Sequence, residues 1–333
     1  MKLFSIKNLL FFSFICFSSL QCLYAMEVEN KIDAERRMVE FLIAIINHLP
    51  EEIQQYNCAR VTLNEAASRN NTIIAKKFIT VLKDRFTTYS FDYSCRLAFF
   101  TAAARNNCEL LKAFYDNQMN FNIRDAFGRT ALINAVVTGN EDAVAFLLEH
   151  HADPQIISMD YKTALIEAIH KDKEAIAKLL LTHNACPNGV GYFYDSYQFS
   201  TLLGWVAHNK KFLKYIPLLL EAGANINGVG NNKLTPLIYS IAFGNLSASK
   251  LLLENNANPC LKGKFDIPRK IVDCGNLKNK NVTALDVALK KKSRAKKQEE
   301  VKYEAIITLL HSKMLINQPD PSPNKKLKGK KDK

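Results

Sequence analysis

An all-α fold of stacked helix-turn-helix units follows from three observations in this sequence. The first is a fixed period. Residues 124–154, RDAFGRTALINAVVTGNEDAVAFLLEHHADP, return at 159–188 as MDYKTALIEAIHKDKEAIAKLLLTHNACPN. Thr130 recurs as Thr163, Leu132 as Leu165, Ala135 as Ala168, Leu147 as Leu180 and Ala152 as Ala185, each step being 33 residues. A period of this size marks a repeat architecture, in which each unit buries its apolar face against the next. The second is helical spacing within a copy, with Leu132, Ala135 and Val136 on one face and Val144, Leu147 and Leu148 on another. The third is punctuation. Thr130, Thr163, Thr201 and Thr235 stand where a side-chain oxygen caps the first helix, and Gly139-Asn140 suits the sharp turn between helices.

In chain order, residues 1–25 differ from the rest. Lys2 and Lys7 precede the apolar stretch LLFFSFICFSSL, and Ala25 offers a small residue for cleavage before Met26. This reads as a secretory signal peptide, its apolar core being shorter than the ~20 residues a spanning helix needs. Residues 26–56 are expected to form an N-terminal helical cap. The repeats occupy 57–312, about six of them, with degenerate copies at 62–82 and 97–122. Later copies lie at 200–227, 232–259 and from 281 onward. Three insertions interrupt the period, near 189–200, 260–280 and 290–302. The first holds Tyr192, Phe193, Tyr194, Tyr197 and Phe199. These aromatics either meet a partner or fold back over the helices as a local core. The third insertion is charged and would simply extend a helix with solvated residues. Residues 313–333 form a tail rich in Pro and Lys, expected to be disordered.

Composition places the chain among ordinary globular proteins, with 48% hydrophobic and 23% charged residues. Its net charge of +13 is unevenly spread: residues 1–25 carry +2 and 290–333 carry +9, leaving +2 for the 264 residues between. The tail cluster Lys325, Lys326, Lys328, Lys330 and Lys331 is a solubilising end, a contact for nucleic acid or an anionic surface, or an import signal. Without interleaved aromatics it lacks a base-stacking platform. Among the eight cysteines no CxxC or Cys/His metal spacing occurs, and Cys260 with Cys274 is the one pair considered for a disulfide. No GxSxG, HExxH, P-loop or dinucleotide motif is present, so no catalytic, cofactor or metal residues are expected. His150-His151 sits at the end of a second helix, where a cation complements the helix dipole.

The repeated residues resemble the ankyrin repeat. The copy NKLTPLIYSIAFGNLSASKLLLENNANP holds Thr235, Pro236, Leu237, Gly244, Asn245, Leu251, Leu252 and Ala257 of that family's pattern. The resemblance implies a non-enzymatic, monomeric scaffold that binds a protein partner through turn tips and the exposed face of each first helix. Position by position it points to Asn134, Glu167, His170, Lys171, Trp205, His208, Tyr239 and Phe243, with Tyr192, Tyr194 and Tyr197 from the extended turn. Two placements of Trp205 stay open: an anchor in the groove, or a core residue rotated inward by the one-residue slip after Thr201. With the signal peptide, the expected destination is the periplasm or beyond, including a host cell. Binding of an anionic polymer or membrane through the basic C-terminal region is the alternative, as is a periplasmic accessory role for an envelope or redox enzyme.

Overall fold

Five threonines open the first helices of successive repeats. A computed structural model of the chain describes residues 62–85, 88–193, 198–230, 233–264 and 280–316, with Glu40 and Leu277 besides. Residues 1–25, expected as a signal peptide, almost all of 26–56, expected as a cap, most of the 260–280 insertion, and residues 317–333 with Lys325–Lys331 lie outside the described residues. In each copy the Thr hydroxyl oxygen accepts a backbone N–H three residues on: Ile133 for Thr130, Ile166 for Thr163, Gly204 for Thr201, Ile238 for Thr235 and Asp286 for Thr283. At Thr283 the Asp286 carboxylate in turn accepts the Thr283 N–H, completing a capping box. Pro236 occupies the first turn of its helix, where its missing N–H costs nothing.

The chain divides into two units, one ending at Gly189 and the other starting at Val190. The first contains a helical stretch at 62–68, then α1 (Thr72–Arg85), α2 (Thr88–Ala104), α3 (Cys108–Asp116), α4 (Ala131–Thr138), α5 (Glu141–Glu149), α6 (Ala164–His170) and α7 (Glu174–Thr182). First helices stack on first helices, α2 on α4 on α6, and second helices on second helices, α1 on α3 on α5 on α7. The periodic residues Leu132, Ala135, Leu147, Leu165, Ala168 and Leu180 are all buried between these layers. Gly139 adopts the left-handed conformation that ends α4.

Side-chain amides tie each repeat to the previous one. Asn140 donates to the Ala103 carbonyl at 2.9 Å, and Asn106 accepts from the Ala143 N–H at 2.9 Å. Asn122 accepts from the Asp153 N–H at 2.9 Å, and Gln155, one period on, accepts from the Cys186 N–H at 3.1 Å. The second unit repeats the device, with Asn245 donating to the Ala207 carbonyl and Asn227 accepting from the Asn258 N–H.

The second unit contains β1 (Val190–Phe193), β2 (Gln198–Thr201), α8 (Leu202–His208), a 3-10 turn (Lys210–Phe212) and α9 (Tyr215–Glu221). After these come α10 (Pro236–Ala242), α11 (Leu246–Glu254), β3 (Gly263–Lys264), β4 (Asn281–Val282), α12 (Ala284–Lys292) and α13 (Lys297–Ile316). The extended turn at 189–200 is an antiparallel hairpin pairing Val190 with Thr201 and Phe193 with Gln198. Both of its strands contact α8. The charged 290–302 stretch is the end of α12, a turn and the start of α13 rather than one extended helix. Helix α13 runs to Ile316, beyond the expected tail boundary at 313, because Lys313-Met314-Leu315-Ile316 contains no helix breaker and the first proline is Pro319. Cys260 is an exposed free thiol, and Cys274 lies outside the described residues.

Candidate functional site

Within the first unit, α2 and the turn after α3 frame a cleft of about 670 Å³. Its walls include Asn64, Arg96, Leu97, Phe100, Thr101 and Arg105 on the helical side, and Asp125, Phe127 and Arg129 on the turn, with Asn134 from α4. The turn is a rigid finger. Asp125 Oδ1 accepts the N–H of Phe127 at 2.8 Å and of Arg129 at 2.9 Å, while Oδ2 accepts Arg129 Nε at 3.0 Å. Backbone bonds from Asp125 N to Arg129 O and from Gly128 N to Asp125 O close it. Gly128 holds φ at +70°, and a side chain there would press within 3.1 Å of the Met159 nitrogen. With its base locked, the finger holds Phe127 out, 62% exposed, beneath the Arg129 guanidinium at 4.8 Å from the ring centre.

The next finger docks on this one. Ser158 N donates to Lys162 O, Tyr161 N to Ser158 O, and Met159 N to Phe127 O at 2.9 Å. Met159 and Tyr161 are 69% and 56% exposed, and Leu97 across the cleft is 59% exposed. Large apolar groups so placed on neighbouring tips form a patch of the kind that marks an interaction surface. Sequence reasoning missed all of them. The available signal was apolar Phe127, Met159 and Tyr161 inside turn segments, which lie outside the helical period.

The sequence-predicted residues scatter. Asn134 lines the cleft and is half-buried. Glu167 is not an open groove residue: its carboxylate pairs with Lys162 Nζ at 3.1 Å and His170 Nδ1 at 3.5 Å, and the Glu167 side chain is 12% exposed. Burial pushes the Glu167 carboxyl up, but His170 and Lys162 outweigh it and hold the group below the ordinary glutamate value. His170 and Lys171 are exposed at the end of α6.

In the second unit the expected aromatic anchors are core. Trp205 and Tyr239 are each 1% exposed, and His208 is buried. The Trp205 ring lies 4.6 Å from Phe212, His208 lies 4.5 Å from half-buried Phe243, and Phe243 stacks on Tyr239 at 6.3 Å. The physical reason is coverage. Helix α8 is packed by α10, α9, the 3-10 turn and both strands of the hairpin, so all seven of its residues are buried. Tyr192 falls in β1 with its side chain outside the description, and Tyr194 and Tyr197 lie outside the described residues.

Histidine chemistry is also structural. His150 Nδ1 donates to the Phe146 carbonyl, 2.8 Å away, and the ring stacks on Phe146 and meets Tyr115 edge-on. Among the described residues, no group of three His, Cys, Asp or Glu could hold a metal ion, and no helix is long and apolar enough to cross a membrane.

Comparison with known proteins fits the repeat pattern. Residues 99–190 match the model "Ankyrin repeats (3 copies)", and 232–264 match the model "Ankyrin repeat". No curated protein matches the chain. Among solved structures, one similar chain comes from the complex of the Bd0816 predatory endopeptidase of Bdellovibrio bacteriovorus with the immunity protein Bd3460. It is 23% identical, with 64% of this chain and 96% of that chain covered and a TM-score of 0.47.

Proposed function

We propose, from the premise that the chain is an ankyrin-repeat protein and hence a protein–protein interaction scaffold, that it is a non-catalytic adaptor gripping its partner with the first unit. The observation that carries this reading is a set of exposed apolar side chains: Leu97 and Phe127 line the cleft beside α2, and Met159 and Tyr161 stand on the finger docked against Phe127. Exposing them costs stability unless a partner covers them. Phe127, Met159 and Tyr161 stand on fingers braced by the Asp125 and Ser158 hydrogen bonds, and Leu97 stands on α2, so little conformational entropy is lost on binding.

Export belongs to the same proposal: the signal peptide at 1–25 would deliver the adaptor across a membrane, to an envelope or host protein. An intact mass starting at Met1 instead of Met26 would reject that part. The adaptor itself is tested with a photo-crosslinking residue placed at Phe127, at Met159, or at exposed Lys178 on α7. The expected result is one discrete cross-linked partner from Phe127 and Met159, and none from Lys178. Cross-linking that ignores position, or that favours Lys178, would overturn the assignment.

A further inference from the structure

We propose that the cleft beside α2 accepts an acidic protein segment with an apolar side chain at its centre. The inference rests on the adaptor reading and deepens it, by assigning the chemistry of the partner.

Charge carries the argument. The cleft is lined by the guanidinium groups of Arg96, Arg105 and Arg129 and by one carboxylate, Asp125. That carboxylate is consumed inside the finger, by two backbone N–H groups and by Arg129. An incoming chain therefore does not compete with Asp125 for Arg105, which stands on the other side of the cleft. Arg105 is exposed at the end of α2 and forms no ion pair among the described residues. Arg96 reaches the Arg124 carbonyl at 3.4 Å, which fixes its head at the cleft wall. Guanidinium forks suit carboxylates, since two parallel N–H donors match two oxygens.

The apolar part of the cleft is equally specific. Phe100 is buried and forms the floor, while Leu97 and Phe127 stand exposed at the two sides. A Leu or Phe from the partner would rest on Phe100 between them, with acidic neighbours reaching Arg96 and Arg105. A volume of about 670 Å³ suits a few side chains of one segment rather than a folded domain. Nucleic acid fits less well. Three arginines line the cleft, and its one exposed aromatic ring, Phe127, carries the Arg129 guanidinium over it, which is a poor platform for stacked bases.

The test uses the full chain and a panel of fluorescein-labelled ten-residue peptides. Each peptide has a central Leu or Ser, flanked by Asp/Glu, by Ser/Gly or by Lys/Arg. Fluorescence anisotropy should select the acidic peptides with central Leu. Raising salt from about 0.05 to 0.5 M should weaken their binding several-fold, as screening predicts. Arg105→Glu should weaken it at least about tenfold by placing like charge against the peptide. Phe127→Ser should weaken acidic and neutral peptides alike. Both positions are exposed, so unchanged thermal melting serves as the folding control.

Preference for neutral or basic peptides that remains sensitive to Phe127→Ser would overturn the acidic assignment and leave the adaptor reading standing. Failure of every peptide to bind, with cross-linking at Phe127 also absent, would overturn both. Tighter binding of an oligo-dT strand or of phosphatidylserine vesicles, lost in Arg105→Glu, would assign the cleft to an anionic polymer or a membrane instead. Dimerisation in sedimentation experiments that Arg105→Glu abolishes would assign it to a second copy of this chain.

Discussion

Trp205 is the largest fully buried side chain among the described residues, and its surroundings decide what its loss would do. Trp205→Ala should cost about 3–5 kcal/mol in chemical denaturation of the second unit, because it removes a ring packed against Phe212 and leaves a cavity. A loss below 1 kcal/mol would return Trp205 to an open surface. Glu167 supplies a pH signature. Its folded pKa lies below the ordinary glutamate value, so its contribution to stability is present above that value and is lost as pH falls through the lower, folded one. Melting temperatures between pH 7 and pH 3 should fall less steeply in Glu167→Gln than in the parent; equal slopes would show that the Lys162–Glu167–His170 cluster contributes nothing. Residue by residue, what the sequence disclosed followed the period. Thr163 and Leu180 could be read because their counterparts stand 33 positions away. The burial of Trp205 could not, because it depends on Val190 pairing with Thr201 to lay a hairpin over α8, and no local pattern encodes that cover.

Among the elements, helices were legible and the segments joining them were not. The capped starts at Thr130, Thr163, Thr201 and Thr235 and the left-handed stop at Gly139 were all read from single residues, since caps are local chemistry. The strands β3 and β4 escaped because each is two residues long. Gly263 explains how β3 fits. A Cβ there would collide with the Lys233 carbonyl oxygen and lie 2.9 Å from Leu234 Cα, so only glycine lets the strand approach the preceding finger. Gly263→Ala should therefore destabilise the second unit by about 1–3 kcal/mol, visible as a lower unfolding midpoint in urea. An unchanged midpoint would mean that the strand sits farther from Lys233. The fingers of the first unit were overlooked for a related reason. Phe127 and Met159 obey neither helical nor strand periodicity, and their exposure follows from the Asp125 and Ser158 turns alone.

At the scale of the whole molecule, stability in a repeat protein is close to a sum of neighbour terms. Leu180 is fully buried on α7, which packs on α5, and Leu180→Ala should cost about 2–5 kcal/mol through the cavity it opens. Hydrogen exchange should show the loss concentrated in α5–α7 and weaker in α1 and α2; uniform loss over the first unit would indicate that its repeats unfold as one body. The candidate site was the least legible part of the chain: the resemblance pointed to turn tips as well as first-helix faces, but the residues it picked out did not include Leu97, Phe127, Met159 or Tyr161. The amide ladder has one more consequence. Asn140 and Asn245 address a carbonyl of the preceding repeat, and Asn122, Gln155 and Asn227 address an N–H of the following one. Every one of these partners is main chain, which any amino acid supplies. At these five joints a copy could thus be duplicated, exchanged or diverged without a compensating substitution next door, unlike at the side-chain pair Asn106–Asp142. Inheritance by whole modules is open to such a chain, and its binding face can drift while its joints stay the same.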